Sequence, residues 1–196
     1  MNVKSRREEY AETTRAAIVQ AAVRQFAAEG FAGSTMDAVA QAARVTKGAV
    51  YHHFRDKAEL FEAAFVVMEE RLLARVSAGV TGIADPLELI AAGVDLFLAE
   101  CCEDDFRRIA IQEAPTALGW ARWKEIEERY FLGLVAGALE GLAPGGPADP
   151  RSGDLTARML LAAMSEAGLA VAASPEPAVE RERVGALVLR LVTGLR

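Results

Sequence analysis

Ser34-Thr-Met-Asp-Ala-Val-Ala-Gln-Ala-Ala-Arg-Val-Thr-Lys-Gly-Ala-Val-Tyr-His-His-Phe54 is the stretch that decides how this chain folds. Ser34 or Thr35 is placed to cap a short helix over 36–43, with Asp37 three residues after Ser34. Arg44-Val45 is a tight connection, and Thr46 caps a second short helix over 47–54. Val39, Ala40, Ala43, Val45, Val50 and Phe54 can face inward, which leaves Lys47, Gly48, Ala49, Tyr51, His52 and His53 outside. Two short helices joined by a two-residue turn have helix-turn-helix proportions. Small residues at the start of the second helix, then Tyr and His, are odd for a solvated surface. They suit a helix pressed into a DNA major groove, where small residues allow close approach and the helix N-terminus favours phosphate. An ordinary helical hairpin with two exposed histidines would read the same way. Neighbouring histidines on a helix point about 100° apart, so they cannot hold one metal ion from one face. No Ser, Asp or Cys partner stands at a catalytic spacing from them.

Working outward, apolar residues recur at helical spacing nearly everywhere, and alternating β-branched runs are absent. The pattern predicts an all-α protein of about nine helices. A first helix is expected over 13–29, stopped by Gly30. Asp56 caps a long fourth helix over 57–77, with Glu59 as its capping-box partner. Asp85-Pro86 starts a largely apolar helix over 86–102. A shorter helix over 104–113 should end before Pro115, and Thr116 should cap a long one reaching 142. Residues 143–153, with three prolines and three glycines, read as a loop. Two final helices are expected over 154–173 and 177–195. The implied organisation is a flexible N-terminal arm (1–12), a helix-turn-helix head (13–57) and a helical body (58–196).

Length and composition agree with this. The 196 residues are 52% hydrophobic and 26% charged, enough for one or two small domains with a sizeable core. No uncharged run approaches the 18 or so residues of a membrane span, and the N-terminus lacks the apolar core of a signal peptide. A cytoplasmic protein is expected. Cys101 and Cys102 are adjacent, a strained geometry for a disulfide, and read as small core side chains. The net charge of −6 conceals a basic head and an acidic body: residues 1–57 hold nine Lys/Arg and six Asp/Glu, the rest thirteen and twenty-two. A basic head points to an anionic partner.

Residues 13–60 resemble the TetR-type transcriptional regulators. The resemblance rests on Ile18-Val-Gln-Ala-Ala-Val-Arg-Gln-Phe-Ala-Ala-Glu-Gly-Phe31, Ser34-Thr35 with Val39-Ala40, Val45-Thr-Lys-Gly-Ala-Val-Tyr-His-His-Phe54, and Lys57-Ala-Glu-Leu60. Arg44 departs from it, since the family often has glycine there. If the turn needs a positive φ, Arg44 costs about 1 kcal/mol, and it is also placed to touch phosphate. The resemblance implies a double-stranded, palindromic DNA operator as partner, read by a homodimer. Thr35, Tyr51, His53 and Lys57 would hold phosphate. Thr46, Lys47, Gly48 and Ala49 would lie at the groove, and His52 near bases or backbone. Lys4, Arg6 and Arg7 would form a minor-groove arm or a frayed tail.

The same resemblance makes the body a ligand-binding and dimerisation domain. Six of the thirteen aromatics lie between 97 and 131, and none follows. Phe97, Phe106, Trp120, Trp123 and Tyr130, with Glu113 and Glu127 as neighbouring acids, are candidate walls of a small-molecule pocket; an aromatic stripe is otherwise simply core. An acid beside aromatic rings would suit a cationic or hydrogen-bonding ligand. Leu155, Met159, Ala163 and Ala167, with Val184, Leu187, Val188 and Leu191, are smooth apolar faces suited to a four-helix interface between two copies. No cofactor or metal site is indicated, and the body has neither histidine nor a phosphate loop, which argues against an enzyme. The leading expectation is a repressor released from its operator by a small effector. A DNA-binding regulator without effector and a helical interaction module are the alternatives.

Overall fold

The structure, a computed structural model, describes residues 6–142 and 150–194. Among these, all regular structure is helical, in nine helices. They are α1 (Arg6–Gly33), α2 (Met36–Ala43), α3 (Lys47–His53), α4 (Lys57–Gly79), α5 (Pro86–Glu100), a composite α6, α7 (Trp120–Leu142), α8 (Pro150–Ala173) and α9 (Pro177–Thr193). In α6 an α-turn, Asp104–Phe106, runs into a π-helical segment, Arg107–Glu113, and out through Ala114–Ala117.

The starts of the helices follow from local chemistry. Thr35 Oγ1 accepts from the Ala38 N–H at 3.1 Å and Thr46 Oγ1 from the Ala49 N–H at 3.1 Å. Asp56 accepts from the Glu59 N–H at 2.9 Å, while Glu59 reaches back to the Arg55 N–H at 2.8 Å. Asp85 accepts from both the Leu87 and Glu88 N–H groups at 2.9 Å. Each such cap satisfies donors that the helix itself leaves unpaired and stabilises by about 1 kcal/mol.

Several boundaries differ from expectation, among them the start of α8, which falls at Pro150 inside the stretch expected as a loop and not at 154. Helix α1 begins at Arg6, so half of the stretch expected as an arm is helical. Gly30, at φ 73°, leaves the helical conformation, but the chain resumes it to Gly33, so the expected stop is a kink. Ser34 does not cap α2; it is buried and its hydroxyl donates to the Gly30 carbonyl at 2.6 Å, closing that kink. Pro115 does not end a helix but opens the last turn of α6, where its missing N–H costs nothing. The corner falls instead at Gly119, at φ 79°, so Thr116 does not cap α7.

Helix α4 joins the two parts. Its first half (Leu60, Phe61, Ala64, Phe65) is buried, with Phe61 edge-on to Phe26 and Phe31 of α1. Its second half (Met68, Leu72, Val76) is buried in the body, where α4 packs on α5, α6 and α7. Burying each such side chain contributes about 1.5–3 kcal/mol, so the joint is not a loose hinge. Residues 153–173 of α8 are long and apolar enough to cross a bilayer by composition, with a mean hydropathy of 1.3. The helix nevertheless packs on α7 and α9 and carries an Arg158–Glu128 ion pair.

Candidate nucleic-acid interface and body cavity

Val50 and Phe54, both buried, anchor α3 to the head. That leaves Thr35, Arg44, Thr46, Lys47, Gly48, Tyr51 and His52 exposed, and Ala49 and His53 half-buried. Arg44 has φ 57° and ψ 39°, the left-handed conformation that favours glycine, and its N–H closes α2 onto the Gln41 carbonyl at 3.1 Å. Lys47 pairs with Asp37 of α2 at 2.8 Å, and its ammonium lies 5.9 Å from the centre of the Tyr51 ring. The hydrogen bond to Asp37 raises the Lys47 pKa above its usual value. Asp37 is thus a member of this face that spacing did not reveal, because a capping acid ten residues away carries no local signal. Burial, then the charges of His52 and Arg15, lowers the His53 pKa. A neutral imidazole can still donate one N–H to a phosphate. Thr35 and Thr46 use their oxygens as caps and keep their hydroxyl protons for an outside acceptor.

Lys57 is occupied otherwise than expected. Its ammonium donates to the carbonyls of Phe31 at 2.6 Å and Ser34 at 3.0 Å and sits 4.5 Å from the Phe31 ring centre. It ties the start of α4 to the carbonyls of the α1–α2 corner. Lys4 lies outside the described residues, and Arg6 and Arg7 fall in the first turn of α1.

In the body, α4, α5, α6, α7 and α8 surround a cavity of about 80 Å³. Of the expected pocket residues, Phe97, Phe106, Trp123 and Glu127 line it. Glu69 also lines it. A second, almost wholly apolar cavity of about 90 Å³ adjoins it, sharing Val76, Val135 and Met164 as walls. Glu127 accepts from Lys124 at 3.0 Å and Ser165 at 2.8 Å. Burial raises its pKa, although Lys124 and Ser165 oppose the shift. Glu69, 4% exposed, has no hydrogen bond or ion pair among the described residues. Burial pushes its carboxyl well above the usual range, and the Glu127 charge adds to the effect. An interior acid on α4 was not recognised in the sequence because Glu69-Glu70 looks like the solvated face of a long helix.

Three expected pocket residues stand elsewhere. Trp120 is 66% exposed and stacks on Trp123, centroids 4.8 Å apart. The Tyr130 hydroxyl donates to Glu70 at 3.3 Å between α4 and α7. Glu113 joins body to head: it accepts from the Phe31 N–H at 2.6 Å, while Arg108 donates to the Ala28 carbonyl at 2.8 Å. Gly30 stands at this corner with φ 73°, a conformation that favours glycine, and a β-carbon there would displace the tips of Glu113 and Arg108. Helix α6 therefore lines the cavity with Ala110 and Ile111 and grips the end of α1 with Arg108 and Glu113.

The apolar faces of α8 and α9 divide differently from the expected grouping. Leu155, Met159, Leu187 and Leu191 are exposed, Ala163 is half-buried, and Ala167, Val184 and Val188 are buried within the chain. The exposed stripes run through Leu155, Met159, Ala162 and Leu169 on α8, and Val179, Leu187 and Leu191 on α9. Alanine-rich helices are apolar on more than one face, so periodicity alone mixes the inner face with the outer one.

Known proteins share both parts. Residues 18–64 match the family described as bacterial regulatory proteins of the tetR family, and residues 87–195 match the tetracyclin repressor-like C-terminal domain. The TetC protein of transposon Tn10 from Escherichia coli is 28% identical over 138 residues, 69% of this chain and 68% of that protein. The transcriptional regulator TtgR of Pseudomonas putida is 45% identical over 65 residues, 33% of this chain and 31% of its own length. In structure, a TetR-family regulator from Pectobacterium atrosepticum superposes with a TM-score of 0.82 over 98% of this chain and 97% of its own, at 24% identity. The regulator RolR, solved with resorcinol, superposes with a TM-score of 0.73 over 94% and 89%, at 19% identity.

Proposed function

The chain belongs to the TetR family of bacterial transcriptional regulators, and from that premise we propose that it is a dimeric repressor whose grip on a palindromic operator is released by a small molecule in the body cavity. The observation that carries this reading is the double role of α6. One face lines the cavity, and the other holds the end of α1 through Glu113 and Arg108. A ligand that fits better with α6 or α4 displaced would move the head. It shifts the DNA-competent population only by its difference in affinity for the two states.

On the DNA side, α3 enters the major groove with Lys47, Gly48 and Ala49 foremost. Thr35, Arg44, Thr46, Tyr51, His52 and His53 hold phosphate or base edges around it. The dimer forms through α8 and α9 and sets two copies of α3 one helical turn of DNA apart, about 34 Å. Release of the Lys47–Asp37 pair frees the ammonium for the DNA, and Asp37 then faces the backbone as a like charge. The protein works in the cytoplasm.

Selection of bound duplexes from a random library, with the winner titrated at several salt concentrations, tests this. A two-fold palindrome with a steep salt dependence is expected. Lys47→Ala should weaken binding by about 1–3 kcal/mol and lower the salt slope by about one, with the fold unchanged. A folded dimer that enriches no duplex would overturn the reading.

A further inference from the structure

Resting on the ligand-responsive reading above, we propose that the body cavity takes a lipophilic monocation, an apolar molecule carrying one protonated amine, with the ammonium seated between Glu69 and Glu127. Three observations carry the assignment. Glu69 is 4% exposed, lines the cavity and has no hydrogen-bond or ion-pair partner among the described residues. No side-chain oxygen or nitrogen among the described residues is both fully buried and without a hydrogen-bond partner, so the Glu69 carboxylate opens onto the cavity and is reachable by a guest there. Its companion across the cavity, Glu127, is another acid, and its two oxygens are already engaged by Lys124 and Ser165. The site therefore offers acceptors beyond the cations it contains, and a bound ammonium supplies both the missing charge and the missing donors.

The second observation is aromatic. Phe97, Phe106, Trp123 and Phe131 line the same cavity, and ring faces attract cations while excluding water. The third is the adjoining cavity walled by Val80, Leu89, Ile90, Val94, Leu134 and Leu160, which has almost no polar surface. One end of the combined space is acidic and aromatic, the other aliphatic. A ligand with a charged head and an apolar tail matches both; an anion would meet two acids, and a polyol would find few partners in the tail.

Phenylalkylamines with two to six methylenes, each compared with the alcohol of the same length, test this. Binding is read from Trp123 fluorescence in a Trp120→Phe background, which leaves Trp123 as the only indole. At least one amine should bind tenfold or more tightly than its alcohol at pH 7. Glu69→Gln should bring that ratio within about threefold, and Glu127→Gln should reduce it less, because Lys124 and Ser165 already share that carboxylate. The proposal fails if no amine outbinds its alcohol, whether both bind alike or neither binds. It fails equally if folded Glu69→Gln keeps the tenfold preference. Should Glu69→Gln not fold, the wild-type ratio and Glu127→Gln decide. Enrichment of a palindrome by a protein without amine preference would sink the cation assignment alone. Amine preference without duplex enrichment would sink the DNA reading and leave the cavity assignment standing.

Discussion

The head and the body use their acids in opposite ways. In the head, acids stand at the surface and are paired: Asp37 holds Lys47, and Asp56 caps α4, where the Glu59 N–H lowers its pKa. In the body, Glu69 and Glu127 are withdrawn from water, and burial raises both pKa values. The first arrangement presents exposed donors to something large and polyanionic. The second keeps acceptors facing a cavity, which suits the small ligand proposed above. A surface that must bind a polymer keeps its polar groups wet and cheap to repartner. A cavity that must discriminate small molecules gains from polar groups that are costly to leave unpaired.

The comparison breaks most readily at the dimer, since the head is proposed to read DNA only in pairs set by the body. Leu187→Asp with Leu191→Asp places two charges on the exposed stripe of α9, where Leu191 is 61% exposed in the single chain. The expected result is a folded monomer by sedimentation. Its affinity for a palindromic operator should fall by about a hundredfold to ten-thousandfold, the loss of linked binding. At its upper end that is larger than the effect expected of Lys47→Ala. A variant that stays dimeric, or a monomer that binds the palindrome as well as wild type, would place the interface elsewhere.

How much of each part was legible follows from the same contrast. In the head, Thr35, Thr46 and Asp56 announce their helices through interactions spanning three residues, as Asp85-Pro86 does for α5 in the body, and the outward set on α3 follows from what Val50 and Phe54 bury. The partners that Lys57 has in the free chain, the carbonyls of Phe31 and Ser34, could not be read from the sequence because they are more than twenty residues away. In the body, Glu113 bonds across 82 residues to Phe31. Glu69 faces a cavity lined from five helices, an arrangement that nothing near it in sequence specifies. The π-helical stretch of α6 had no signal, since its wider turn answers to packing rather than to capping. Short-range chemistry could be read; the long-range contacts that make the cavity and join it to the head could not.

Opposite acid environments imply opposite pH dependence, and Glu69→Gln sharpens that. An unfolded glutamate titrates near 4.3. Folded Glu69 titrates well above this, so the folded state keeps its proton over a window that opens near the unfolded value. The contribution of Glu69 to stability is complete below that window and is lost as pH rises toward the folded pKa, by up to about 1.4 kcal/mol per pH unit. Glu127 has the same sign, whereas Asp56 loses its contribution as pH falls. Denaturant titrations of wild type and Glu69→Gln should therefore converge near pH 4 and separate in favour of the variant at higher pH. Parallel curves from pH 4 to 8 would mean that Glu69 is hydrated or paired in solution.

Arg44 tests whether the head keeps a backbone cost for the sake of its partner. At φ 57° an arginine costs about 1 kcal/mol relative to glycine, some of which the freer unfolded chain of a glycine variant takes back. Arg44→Gly should thus raise the melting temperature by no more than about 2–4 °C. It should also weaken operator binding several-fold and lower the salt slope by about one, the mark of a lost phosphate contact. The two effects have opposite signs, which separates them from a general disturbance of the turn. Greater stability with an unchanged salt slope would show that Arg44 is only a strained residue in a place that prefers glycine. A loss of both stability and binding would show that the side chain supports the α2–α3 turn itself, and the head would then hold an unexposed dependence of the kind found so far in the body.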